Sequence, residues 1–150
     1  MLPEGITQDF TWYTARDFCV IVALKGSRLV MIKNYRYPAD RWFLEFPAGH
    51  VKDGERIEDC AERELLEETG YTSAKLRHIG SYYVSSRTLQ KGHVFSCTAG
   101  TRQRANREPG ELQHVTLVTP QSLRRQVASG KVVHAATIIA CSMAELKRLI

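Results

Sequence analysis

Residues 63–70 read RELLEETG and bring Glu64, Glu67 and Glu68 together in a 150-residue chain whose formal net charge is +5. Clustered carboxylates are hard oxygen ligands, and the chemistry they suit is holding a divalent cation such as Mg²⁺ against a substrate phosphate. On a helix counted from Ile57 at about 100° per residue, Glu68 falls at about 20°, Glu64 at about 340° and Glu67 at about 280°. Ile57, Cys60 and Ala61 share that sector. The carboxylates therefore prolong the apolar stripe, whereas a merely solvated acidic face belongs opposite it. Like charges three and four residues apart cost roughly 0.2–0.5 kcal/mol per pair, and negative charge near a helix C-terminus opposes the macrodipole. Arg63 reaches Glu67 across one turn, but a single guanidinium does not balance three carboxylates. Taken alone, RELLEETG is more simply a glutamate-rich surface helix; the wider spacing decides the matter.

The elements that must position these residues are legible in outline. A helix is predicted over Ile57–Thr69 with Gly70 just past its end, a second with Thr119 as N-cap, Pro120 at its first position and Gly130 beyond, and a last one over Ala135–Leu149. Entry to the first helix lacks a capping side chain at Arg56 and is expected to lean on Asp53. Strand-like runs are 18–24 and 28–35, joined by a turn at Gly26 and Ser27, then 42–46, 75–84, 93–99 and 114–119. The basic stretch TRQRANREPGE (101–111) has no periodicity and contains Pro and Gly, so a loop is expected there. Strands dominate the first part of the chain and helices interrupt rather than alternate with them. This pattern predicts an α+β fold with a mixed sheet.

The chain length suits one domain, 1–150, with a core large enough to stand without disulfide or metal staples. Apolar content of 43% and charged content of 25% are those of a globular protein and argue against a disordered or fibrous class. Cys19, Cys60, Cys97 and Cys141 lie far apart with no C-x-x-C pair, so buried thiols and a reducing, cytoplasmic setting are expected. The N-terminus lacks the pattern of a signal peptide and FCVIVAL is too short to span a bilayer, so no membrane association is expected. Basic charge without aromatic and basic residues interleaved gives no nucleic-acid surface.

The spacing around RELLEETG is Gly49, five residues, Glu55, seven residues, Arg63-Glu64-Leu65, one residue, Glu67-Glu68, one residue, Gly70-Tyr71. Position for position this resembles the Nudix box, a match whose chance odds at ordinary residue frequencies are on the order of 10⁻⁷. LEFPAG before the box strengthens the likeness. The resemblance implies an α/β/α sandwich on a mixed β-sheet. It implies Mg²⁺ or Mn²⁺ held by Glu64, Glu67 and Glu68, with the backbone carbonyl of Ala48 or Gly49 adding a ligand. Glu55 and Arg63 would orient the carboxylates, since metal ligands need partners that fix their geometry, and Gly49 and Gly70 would permit tight turns. The implied reaction is hydrolysis of a nucleoside diphosphate linked to another group. A carboxylate outside the box often serves as base in this family, and Glu111 and Glu108 are the candidates; with Arg63 and Glu67 they make up the catalytic set.

Beyond the box, NYRYPADRWFLEFPAGH and LVTPQSLRRQVASGKVVHAATIIA resemble the ADP-ribose pyrophosphatase branch. On that likeness Arg36 is a phosphate ligand, against the plainer expectation of a salt bridge, and Tyr35, Tyr37 or Trp42 would stack on a base, against the plainer one of core packing. The branch usually places a Pro some sixteen residues past the box, where this chain has Ser86 and Arg87. Other nucleotide sugars therefore stand beside ADP-ribose as expected substrates. The alternatives are a house-cleaning (d)NTP pyrophosphatase and a nucleotide-sensing domain without catalysis, which commonly loses box glutamates that are all kept here. Related enzymes are often homodimers, and a homodimer is expected.

Overall fold

Alternation along the first strand sorts the core. In the computed structural model, which describes residues 9–103 and 112–150, β1 (Phe18–Lys25) turns Cys19, Ile21 and Ala23 to one face and Val20 and Val22 to the other, all buried. The first set packs with Cys60, Ala61 and Leu65 of α1 (Ile57–Thr69). The second packs with Leu123 of α2 (Pro120–Ala128) and with Ala136, Ala140, Cys141 and Ala144 of α3 (Ala135–Leu146). A sheet apolar on both faces needs a layer on each, and the result is the expected α/β/α sandwich.

The sheet opens where the site is built. β1 turns through Gly26 into β2 (Arg28–Arg36), and the two pair over Ala23–Lys25 and Arg28–Val30. They then part. β1 pairs with β4 (Ala48–His50) through Phe18–Val20, and β2 pairs with β3 (Arg41–Glu45) through Ile32–Arg36. The Ile21 N–H donates to Pro47 O at 2.9 Å, so residues 45–48 are wedged into the split. β6 (Lys91–Arg102) runs parallel to β1 and antiparallel to β5 (Tyr71–Tyr83), and β7 (Gln113–Val118) pairs antiparallel with β2. The parallel β1–β6 pairing makes the sheet mixed, as expected.

α1 has the predicted bounds. Gly70 closes it in the left-handed region (φ 77°), its N–H donating to Leu66 O at 2.8 Å. Its entry differs from expectation: Arg56 is the N-cap with no side-chain cap, and Asp53 pairs with Arg16 at 2.8 Å instead. Glu55 steadies the preceding loop by accepting the Lys52 N–H at 2.8 Å. Thr119 caps α2 as predicted, accepting from Ser122 N–H at 3.2 Å.

Three boundaries move furthest. α3 ends at Leu146 rather than Leu149, because Arg148 turns left-handed (φ 56°) and the Leu149 N–H folds back to Ala144 O at 2.9 Å. β5 starts at Tyr71, directly after Gly70, and β6 runs through Arg102, into the stretch expected to be a loop. β4 was not foreseen, since three residues with a central Gly carry no strand pattern. No helix among the described residues is long and apolar enough to cross a membrane.

Candidate active site

The packing of α1 against the sheet sets how each box glutamate meets solvent. Glu68 is buried at 9% exposure, Glu64 keeps 13% of its side chain exposed and Glu67 37%. The carboxylates thus lie along the edge of the apolar face, where the helical count put them. Gly49 on β4 runs directly beneath: a Cβ added there would fall inside the Glu64 carboxylate, with which no side chain can share space. Only glycine lets the β4 backbone approach so closely.

Arg63 organises this group. Its guanidinium grips Glu55 with two hydrogen bonds of 2.7 and 2.9 Å, and reaches Glu64 at 2.6 Å, Glu67 at 3.1 Å and the His50 carbonyl at 3.1 Å. The Arg63 contact draws the Glu55 carboxyl down to about 2, against the opposing effect of burial. Glu64 moves the other way: burial pushes its pKa up, and the nearby Arg63 only partly offsets this. Glu68 is held separately, accepting the Ala48 N–H at 2.9 Å and the Gln113 side-chain amide at 3.2 Å. Among the described residues no three His, Cys, Asp or Glu side chains converge on one point as they stand, because Glu64 and Glu67 turn to Arg63 while Glu68 turns to Ala48 and Gln113.

The donor set nevertheless fits a divalent cation. Its side chains are hard carboxylate oxygens, the Gly49 gap leaves room for backbone beside them, and the one guanidinium within reach of Glu64 is shared with Glu55 and Glu67. The Gly49 carbonyl faces the Cys60 thiol at 3.6 Å.

These groups lie on a cleft of about 470 Å³, a volume ordinary for a small-molecule site. Ala48, Gly49, Arg63, Glu64, Glu67 and Glu68 form its acidic wall. Towards one side stand Arg16, Phe18, His50, Lys52 and Gln90, linked by a Gln90 side-chain bond to Arg16 O at 2.7 Å and by an edge-to-face contact of Phe18 with His50. Towards the other stand Asn34, Arg36 and His134. Arg36 lines the cleft while gripping Glu45 with two bonds of 2.9 and 2.6 Å. Glu45 itself is only 1% exposed.

Tyr35 and Trp42 do not line this cleft. They form an exposed aromatic group with Tyr37 and His114, in which Tyr35 meets Tyr37 and Trp42 edge-on, Trp42 stacks on His114 at 5.3 Å, and the Tyr35 hydroxyl bonds Asp40. Glu108 and Glu111 lie outside the described residues. Reading the sequence missed Gln113, Asn34 and His134. A signal existed for the first two: each is a polar amide at an inward position of an otherwise apolar strand, now 3% and 7% exposed. His134 had no such signal.

A split mixed sheet with a carboxylate helix at its mouth and a cation-rich cleft beyond defines a metal-assisted phosphoanhydride hydrolase. The NUDIX domain family model matches residues 13–138, and the chain belongs to that family. It is 34% identical over 131 residues to an ADP-ribose pyrophosphatase of Bacillus subtilis (strain 168), an alignment covering 85% of this chain and 71% of that protein. It is 38% identical over 87 residues to an oxidized purine nucleoside triphosphate hydrolase of Mus musculus, covering 55% of this chain and 54% of that one. A solved ADP compounds hydrolase shares the fold with a TM-score of 0.77 over 90% of this chain and 76% of that chain, at 18% identity. Nudix hydrolases act on pyrophosphate bonds with divalent metal ions, and this chain is such a hydrolase.

Proposed function

We propose that this enzyme uses Mg²⁺ to hydrolyse the pyrophosphate bond of ADP-ribose or a related nucleotide sugar. The observation that carries the reading is the set of box glutamates on a cleft that also holds Arg16, Arg36 and Lys52. Likeness to the Bacillus subtilis ADP-ribose pyrophosphatase supports the substrate class.

In this reading Glu64, Glu67 and Glu68 hold the metal with the carbonyl of Ala48 or Gly49. When bound, the ion neutralises the diphosphate and lowers the pKa of a water that attacks phosphorus. Arg63 fixes the angle of Glu64 and Glu67, and Gln113 with the Ala48 N–H fixes Glu68. Lys52, whose charge already acts on Glu64, offsets phosphate charge at the same wall. Arg36 contacts the substrate from the opposite side. Glu111 or Glu108 takes the proton from the water. Glu111 stands two residues before Gln113 in sequence, which favours it.

The base-stacking role proposed for Tyr35 and Trp42 requires substrate to extend beyond the cleft or a second copy of the chain to bring them to it, in keeping with a homodimer. Light scattering of the purified protein tests the dimer. Buried, unbridged thiols at Cys19, Cys60, Cys97 and Cys141 suit a cytoplasmic enzyme.

The deciding experiment incubates the protein with Mg²⁺ and ADP-ribose, nucleotide sugars, dinucleoside polyphosphates or dNTPs, and measures phosphate released after phosphatase treatment. ADP-ribose or a nucleotide sugar should give the highest kcat/KM. Preferential turnover of an oxidised purine triphosphate, as the name of the Mus musculus relative suggests for that protein, would replace this reading with the house-cleaning one.

A further inference from the structure

The two sides of the cleft differ in charge. Beside Phe18, Arg16 pairs with the highly exposed Asp53, a weak contact in water, and the Lys52 charge acts on Glu55 and Glu64 of the acidic wall. On the other side, the Arg36 charge is matched by buried Glu45 two hydrogen bonds away. His134 sits there, next to that pair and against the Phe43 ring at 6.5 Å. Burial is the main influence on its imidazole and lowers its pKa, so the ring is neutral at pH 7. A neutral ring beside an ion pair is a poor phosphate counterion. It is well suited to a hydroxyl or carbonyl oxygen.

The ring is also oriented. Its Nδ1 lies 3.0 Å from Thr137 Oγ1, and that fully buried hydroxyl already accepts the Phe46 N–H at 3.2 Å. Among the described residues the Thr137 hydroxyl has no other side-chain partner, so passing its proton to His134 Nδ1 satisfies both groups. The ring proton then resides on Nε2. This nitrogen makes no hydrogen bond with any described residue and belongs to a side chain lining the cleft. Phe46 lies in the segment wedged between β1 and β2, so the same hydroxyl ties the ring to the element that opens the sheet.

We propose that His134 is a specificity-determining residue whose Nε2–H donates to a sugar hydroxyl of the substrate, so that the nucleoside or sugar end of the substrate lies on the Asn34–His134 side and the diphosphate on the Arg63–Lys52 side. This rests on the proposed nucleotide-sugar reading.

Two variants separate contact from support. His134→Gln keeps an N–H donor near the Nε2 position, whereas His134→Asn keeps an oxygen near Nδ1, able to accept the Thr137 proton, and leaves nothing reaching into the cleft. With ADP-ribose and Mg²⁺, His134→Asn should raise KM about tenfold with kcat within about twofold, and His134→Gln should stay within about threefold of wild type. Both should melt close to wild type. On analogues lacking one hydroxyl at a time, wild type should lose about tenfold on one of them, and His134→Asn should lose nothing further on that same analogue. A normal KM in folded His134→Asn overturns the proposal, as does equal loss in both variants accompanied by a lowered melting temperature. If wild type does not turn over ADP-ribose, the functional reading fails by itself, and the same variants are then compared on whichever substrate of the panel is hydrolysed.

Discussion

Arg63 and Arg36 each hold a glutamate with two hydrogen bonds, yet their surroundings differ in charge. Arg36 meets the buried Glu45 carboxylate with two hydrogen bonds from one guanidinium. Arg63 is shared among Glu55, Glu64 and Glu67, with Glu68 close by on the same helix. In the first, one carboxylate is met by one guanidinium. The second carries more negative charge than its arginine offsets, and such a surplus persists in a buried place only where a cation can answer it. The metal chemistry is expected at the unbalanced site, whereas at the other Glu45 holds Arg36 in place on the cleft.

The largest break should come from removing a ligand at the unbalanced site. Glu68→Gln deletes a charge while keeping the shape and the acceptor for the Ala48 N–H. Turnover with Mg²⁺ should fall about a thousandfold, equivalent to about 4 kcal/mol of lost transition-state stabilisation, with the melting temperature little changed. Retained turnover in the phosphate-release assay would remove Glu68 from the metal site. Gly49→Ala attacks the same point through space: the added methyl displaces the Glu64 carboxylate, and activity should drop about a hundredfold although no charge is lost.

Arg63→Gln sharpens the comparison by freeing the carboxylates instead of removing them. Misoriented ligands should cost about 10–100-fold in kcat/KM or in Mg²⁺ affinity, read by titrating the metal. This variant also has a pH signature. The Glu55 carboxyl is drawn down to about 2 in the folded chain, below its unfolded value of about 4.3. The stabilisation it brings is therefore complete above about pH 4.3 and fades as pH falls towards 2. Acid unfolding followed by circular dichroism should be less steep between those limits in Arg63→Gln. Identical acid limbs would show that Glu55 gains nothing from Arg63.

These differences also explain what could be read in the sequence. The unbalanced site was legible because its members share one helix and one preceding loop, so periodicity fixed the carboxylate face and the bounds Ile57–Thr69 without tertiary information. The hairpin at Gly26 and the caps at Thr119 and Gly70 were legible for the same local reason. Gln113 reaches Glu68 from 45 positions away, and Arg36 meets Glu45 because β2 and β3 pair. Such contacts depend on strand register, which no local pattern records. Asp53 was expected to cap α1 on proximity alone, and the fold gave it to Arg16 on the far side of the loop. β4 escaped notice because its role is to bring a bare backbone under Glu64, a task for which side-chain patterning leaves no trace.

The smallest effect on activity, and the clearest test of the contrast, lies at the Arg36–Glu45 pair. Arg36→Ala strands the Glu45 carboxylate at 1% exposure, and an uncompensated buried acceptor costs about 1–3 kcal/mol, taken at the lower end here because Arg36 is itself 45% exposed. For a chain of this size the melting temperature should fall by several degrees. Changing both residues, Arg36→Met with Glu45→Gln, removes the stranded charge and should recover part of that loss, because a buried pair replaced as a unit is far less costly than one partner deleted. At Arg63 no such recovery is expected: Arg63→Gln combined with Glu64→Gln relieves repulsion but should not restore turnover, since the deleted carboxylate is needed by the metal. Stability regained by double substitution at Arg36–Glu45, alongside activity lost for good at Arg63–Glu64, would separate a pair whose contribution to the fold survives replacement as a unit from a cluster whose catalytic role does not.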